Sequence, residues 1–271
     1  MKYTAVTFST GNTEEQNEIL IALLANIGFE GFEEANNLLQ AYIKEEDFNE
    51  LELKTIAESM QLAYTLDLVE QQNWNAAWES SFEPVIINDF AAIRAQFHQP
   101  VPNVQHEIVI TPKMSFGTGH HATTYLMMEQ MSRINFKGKS VLDFGTGTGV
   151  LAILAEKMGA TDIVGIDNDD WSIENAEENR LRNQATHIQI QKAEAVVAGK
   201  KYDIILANIN LNVITANMTA LAESCAAGAT VLLSGFLNTD IDSIKASLEA
   251  NNVAFKSFTR QKDWICILAT V

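Results

Sequence analysis

Two short stretches set chemistry-bearing residues where strands end. The first, V-L-D-F-G-T-G-T-G at 141–149, is an apolar run, one acid and three glycines at alternate positions. A strand entering such a turn and then a helix presents backbone N–H groups and a helix N-terminus to a ligand. Glycine has no Cβ, so the ligand can approach the backbone closely. A dinucleotide fingerprint G-x-G-x-x-G/A started at Gly145 needs its last small residue at position 150, where Val150 stands. The acid Asp143 would also repel a pyrophosphate, while a carboxylate there can favour a cationic group. That combination fits S-adenosylmethionine (SAM), which carries an ammonium and a sulfonium and no phosphate. Asp167 closes V-G-I-D, 22 positions beyond Gly145, where an acid can accept hydrogen bonds from ribose hydroxyls. Glu194, in Q-K-A-E-A after the following strand, is placed to reach the adenine.

The second stretch is L-A-N-I-N at 206–210. Asn208 there stands at the carboxyl end of a central strand, where open α/β sheets bind ligands. Its side chain can accept a hydrogen bond from a substrate amine while the lone pair stays aimed at a methyl donor. A third cluster, P-K-M-S-F-G-T-G-H-H-A-T-T at 112–124, gathers two glycines, four hydroxyl residues and two histidines ahead of a helix. A helix cap needs only one hydroxyl. His120 and His121 are adjacent, with no acid or cysteine beside them, so no metal is expected. Cys225, expected in a helix, and Cys266, in an apolar run, lack metal or redox spacing and read as buried thiols.

These residues need an alternating frame to hold them. Strands are expected at 139–144, 162–167, 187–192, 203–207 and 229–234, with helices at 150–158, 171–183, 213–226 and 240–250 between and after them. Two last strands, near 253–258 and 264–271, lack an intervening helix and should pair antiparallel at one edge. Such alternation implies a largely parallel sheet covered on both faces. Ahead of it, residues 1–72 read as strand-helix-strand-strand-helix-strand, a ferredoxin-like α+β arrangement. Its elements are expected at 2–10, 14–27, 29–35, 38–43, 48–60 and 61–70, with Asn36-Asn37 closing a hairpin. Residues 73–112 hold all four prolines and read as a connector, with strands at P-V-I-I and E-I-V-I-T, before a domain at 113–271. Trp74 and Trp78 fall within it and read first as packing.

The chain has 271 residues, 47% hydrophobic and 20% charged, room for two domains. It has no apolar run long enough to span a membrane and no signal-peptide pattern, so a cytoplasmic protein is expected. A formal net charge of −17 argues against nucleic acid as partner and favours a basic protein or a cation.

With these motifs assembled, the chain resembles the ribosomal protein L-11 methyltransferase family. The resemblance is carried by N-W-N-A-A-W-E-S-S-F (73–82), M-S-F-G-T-G-H-H-A-T-T (114–124), V-L-D-F-G-T-G-T-G-V-L-A-I-L-A (141–155), A-N-I (207–209), L-L-S-G-F-L (232–237) and D-W-I (263–265). It implies a seven-stranded class I methyltransferase domain, Rossmann-like, behind a substrate-recognition domain. It also implies SAM contacts at Phe116, Thr124, Gly145, Gly147, Asp167 and Asn208, and methylation of lysine and N-terminal amines of one basic ribosomal protein by a monomer. Three other readings stay open on the residues: a methyltransferase for another protein or small amine, a SAM-binding module without catalysis, and a nicotinamide oxidoreductase.

Overall fold

The computed structural model describes residues 2–9, 14–35, 38–70, 82–112, 119–196 and 199–271. Asn36-Asn37, Trp74 and Trp78 lie outside the described residues. The chain separates into two compact units, Met1–Ser81 and Phe82–Val271.

In the first unit, β1 (Lys2–Ser9), β2 (Gly31–Ala35), β3 (Leu38–Lys44) and β4 (Tyr64–Glu70) alternate with α1 (Glu14–Asn26) and α2 (Glu50–Ser59). The sheet order is β2-β3-β1-β4, every pair antiparallel. Side chains alternate along a strand, so Val6, Phe8, Leu39, Ala41 and Ile43 share one face. There they pack on Leu20 and Leu24 of α1 and on Leu53 and Ala57 of α2. Helix α2 starts later than its apolar pattern suggested because the Asn49 side chain caps it, accepting from the Leu51 N–H at 3.1 Å. Gln61, with a φ of 54°, turns the chain away, so β4 begins at Tyr64 rather than at Gln61.

The stretch expected as a connector is more structured than its prolines suggested. Strands β5 (Val85–Ile87), β6 (Ala91–Ala95) and β7 (His106–Ile110) form a sheet of their own, β5 antiparallel and β7 parallel to β6. Pro84, Pro100, Pro102 and Pro112 all fall outside these strands, where no ladder N–H is required. Ile87, Ile93, Ile108 and Ile110 share a core with the helices of the second unit, to which residues 82–112 belong.

The second unit continues with α3 (Ala122–Met131), β8 (Ser140–Phe144), α4 (Val150–Lys157), β9 (Asp162–Asp167), α5 (Asp170–Arg182) and β10 (Ile188–Lys192). It ends with β11 (Tyr202–Asn208), α6 (Leu211–Glu223), β12 (Cys225–Leu237), α7 (Ile241–Ala250), β13 (Ala254–Gln261) and β14 (Trp264–Thr270). The order is β10-β9-β8-β11-β12-β14-β13: parallel from β10 to β12, with β14 antiparallel to both its neighbours. Strands covered on both faces read as continuous apolar runs, as in V-L-D-F and I-I-L-A. Val141, Ile163, Ile204 and Leu206 face a core shared with α3 and α4. Leu142, Val164, Ile205 and Leu233 face a second core built with α6 and α7. Cys225 is not helical as expected: the chain leaves α6 at Ser224, and Cys225 opens β12 opposite Tyr202. Both cysteines are buried. Among the described residues no helix is long and apolar enough to cross a membrane.

Candidate active site

Strand order reverses between β8 and β11: the chain runs outward from β8 to β10, then returns to place β11 on the other side of β8. Open α/β sheets bind ligands at the carboxyl ends of strands beside such a reversal. The glycine turn and Asn208 are the carboxyl ends of these two strands.

The glycines follow alternate positions because each takes a left-handed backbone, with φ of 76° at Gly145, 53° at Gly147 and 77° at Gly149. The N–H groups of Gly145 and Thr146 both donate to the Ile166 carbonyl at 2.9 Å, tying the turn to β9. Asp167, the last residue of β9, accepts from the Gly147 N–H at 2.9 Å and from the Asp169 N–H at 3.1 Å. A Cβ on Gly145 would sit 3.0 Å from the Ile209 side chain, so the turn and the end of β11 touch through a glycine.

Asp143 does not face a ligand as its charge suggested. It is buried beneath the turn, where Oδ2 accepts from the Thr146 hydroxyl at 2.7 Å and from the Ala152 N–H at 3.2 Å. Burial pushes its carboxyl up to about 6, against the pull of those two donors, with Asp167 adding to the rise. It braces the turn from behind. The register explains why: Asp143 shares the face of Val141, toward α4.

Asn208 is 7% exposed and lines a cavity of about 370 Å³ with Gly145, Gly147, Asp167, Ile209, Gly235, His121 and Trp264. Its Nδ2 donates to the Thr124 hydroxyl oxygen at 3.2 Å, and its buried Oδ1 has no partner among the described residues. Thr124 is fully buried behind Asn208 and orients it. Glu194 is exposed and lines an adjoining cavity of about 210 Å³, which shares Gly145, Asp167, Ile209 and Asn210 with the first. Phe116 lies outside the described residues.

Of the lining residues not assigned to the site from the sequence, three stand within the quoted motifs and shape its walls. His121 caps α3, its Nδ1 accepting from the Thr123 N–H at 3.3 Å, and its ring meets Trp264 edge-on at 4.5 Å. Burial lowers its pKa, favouring the neutral ring. Trp264 opens β14, at the D-W-I motif. Gly235, in L-L-S-G-F-L, is an inserted residue in β12: Ser234 pairs with Cys266 and Phe236 with Ile265, leaving Gly235 at φ 101°. A Cβ there would lie 2.3 Å from the Ile209 carbonyl oxygen. The signal for all three was a motif; what was missing was the tertiary pairing that brings 209, 235 and 264 together.

Volume and chemistry fit SAM. Small-molecule pockets run from about 300 to 1,000 Å³, and the two adjoining cavities join a bare glycine backbone, the Asp167 carboxylate and an orphaned amide oxygen. A sheet with its reversal at a glycine turn, an acid closing the next strand and an extra antiparallel strand near one edge define a class I SAM methyltransferase-like α/β fold with a large mixed sheet. Comparison with known proteins narrows the class. The sequence profile of the family described as ribosomal protein L11 methyltransferase (PrmA) matches residues 4–271. A ribosomal protein L11 methyltransferase of Phocaeicola vulgatus is 37% identical over 276 residues, covering 98% of each chain. One from Chlorobaculum parvum is 40% identical over 264 residues, covering 93% of this chain and 91% of its own. The crystal structure of a ribosomal protein L11 methylase from Lactobacillus delbrueckii subsp. bulgaricus superposes with a TM-score of 0.65 at 30% identity, covering 69% of this chain and 98% of that one. This chain belongs to the ribosomal protein L11 methyltransferase family.

Proposed function

We propose that the protein transfers methyl groups from SAM to amines of ribosomal protein L11, lysine side chains and the N-terminal amine among them. The observation that carries this reading is the unpartnered Oδ1 of Asn208 at the cavity wall. A buried acceptor without a donor costs about 1–3 kcal/mol, and an incoming amine N–H supplies one. Gly145 and Gly147 would hold the methionine end of SAM, Asp167, which lines both cavities, its ribose, and Glu194 its adenine.

The reaction is an in-line displacement. The amine lone pair forms a bond to the methyl carbon as the carbon–sulfur bond breaks and its electrons return to sulfur, neutralising the sulfonium. A free lysine has a pKa of about 10.4, so a proton leaves before attack; the nearby sulfonium and partial desolvation both lower that pKa. The His121 Nδ1 already accepts the Thr123 N–H, so the proton goes to water and positioning supplies most of the acceleration. A neutral amide that only accepts one N–H lets a methylated amine turn and react again.

The first unit supports substrate recognition. Its order β2-β3-β1-β4 with two helices on one face fits the ferredoxin-like expectation, as the seven strands of the second fit the methyltransferase one. Residues 1–70 carry 14 acidic side chains against 3 basic ones, whereas residues 71–271 carry 21 against 15. A basic ribosomal protein made in the cytoplasm matches that surface. Purified L11 incubated with SAM and this protein should gain methylene-sized mass increments at amines. L11 left unmodified, while SAM binds and another protein or a small amine is methylated, would move the reading to that other acceptor. SAM bound with no methylation of anything in a lysate would leave a binding module.

A further inference from the structure

Helix α5 covers the sheet with amides where apolar side chains are usual: Asn175 and Asn179 are fully buried. A buried amide is costly unless its hydrogen bonds are made, and these bonds run to two places that matter for the cavity. Among the described residues strand β7 is an edge, paired with β6 alone. Asn183 meets it with Oδ1 accepting from the Val109 N–H at 2.9 Å and Nδ2 donating to the Val109 carbonyl at 2.6 Å, the pair of bonds a neighbouring strand would make. One turn earlier, Asn179 Oδ1 accepts from the Thr111 N–H at 2.8 Å, and the Thr111 hydroxyl donates to Glu178 at 2.6 Å. The Nδ2 of the same Asn179 donates to the Thr148 carbonyl, inside the glycine turn, at 2.9 Å.

Asn179 therefore bonds the turn on one side and, on the other, the strand end from which the chain proceeds to His121 and Thr124. An amide can do this because it donates and accepts at once, from two atoms set apart, where a carboxylate only accepts and an alkyl group does neither. We propose that Asn179 is a positioning residue that ties the glycine turn to the end of β7 at Thr111, so that SAM binding at the turn tightens the hold on that strand end. This rests on the reading of the cavity as a SAM site.

The Asn179→Asp variant keeps the acceptor for Thr111 but sets a carboxylate oxygen against the Thr148 carbonyl; KM for SAM should rise at least about tenfold, with a smaller change in kcat. Asn183→Ala, which frees the same strand without touching the turn, should lower Tm yet keep KM for SAM within about twofold. Because a variant at a buried site can fail to fold, a measurement on the wild type accompanies it. Saturating SAM should slow hydrogen exchange at the Thr111 amide, which does not line the cavity. Unchanged exchange at Thr111 while calorimetry shows SAM bound would overturn the proposal, as would Asn183→Ala raising KM as much as Asn179→Asp. Absence of SAM binding by calorimetry would instead strike the methyl-donor reading.

Discussion

The cavity has two walls built by opposite means. At the end of β8 the wall is backbone: three left-handed glycines bring no side chain to it, their N–H groups are bonded to Ile166, Asp167 and Thr146, and the side chains nearby, Asp143 and Asp167, hold the turn. At the end of β11 the group proposed to act is a side chain, Asn208, set by Thr124 behind it and followed by Ile209, against which Gly235 of β12 packs. A backbone wall needs conformations, which glycine spacing announces. A side-chain wall needs neighbours, which only the folded chain supplies. The first wall should therefore govern how tightly SAM is held, and the second how fast the methyl group moves.

The comparison breaks most severely at Gly235, because its neighbour Ile209 touches both walls. Gly235→Ala sets a Cβ 2.3 Å from the Ile209 carbonyl oxygen and puts alanine at φ 101°. It should cost about 2–4 kcal/mol in stability and displace Ile209, which also touches Gly145. Thermal unfolding and SAM calorimetry should both register it; a variant as stable and as tight as wild type would mean that β11 has slack at this point.

Asp167→Ala acts on the first wall alone. It removes an acceptor for the Gly147 N–H and, in the account above, one for the ribose. SAM affinity should fall roughly 10- to 100-fold, the value of one or two hydrogen bonds to a charged group, while kcat at saturating SAM changes little. A fall confined to kcat would exchange the roles of the walls.

Asp143→Asn tests the brace under the turn. Its carboxyl is pushed up to about 6 from an ordinary 3.8, so the folded state holds the proton more tightly than the unfolded chain. That contribution is fully present below the ordinary value and is lost as pH rises through about 6. Relative to Asp143→Asn, wild type should lose on the order of 2–3 kcal/mol between about pH 4 and pH 6.5, read by denaturant unfolding at several pH values. Parallel curves would mean that Asp143 is not held in this state.

These two walls also mark how far the sequence was legible. The glycine turn, Asp167 and the alternation of β8 to β12 stood in the pattern, because backbone geometry and burial write a local signature. The role of Asp143 did not, since its type says charge while its register on the α4 side says burial. Asn179 is 68 residues from the Thr111 it binds, and no local spacing reveals that pair. Of the sheet at 85–110, β5 and β7 were legible as apolar runs, while β6 and the pairing of all three were not, in a stretch whose prolines read as a connector. Thr124 and Glu194 were named as contacts; one is buried behind Asn208, and the other faces the second cavity.

The smallest effect distinguishes the two units. With 14 acids against 3 bases in residues 1–70, raising ionic strength from about 0.05 to about 0.5 M should increase KM for L11 several-fold, because screening weakens attraction between exposed charges. The dissociation constant for SAM should stay nearly constant. An equal salt response for both substrates would detach the acidic unit from L11 recognition.

The most direct test of the division between the walls is single-turnover methyl transfer to L11 by Asn208→Ala at saturating SAM, with SAM affinity measured on the same sample. Loss of an acceptor that orients the amine in the transition state should slow transfer by about 100-fold or more, with SAM still bound within a few-fold of wild type. Full transfer by that variant would contradict the account.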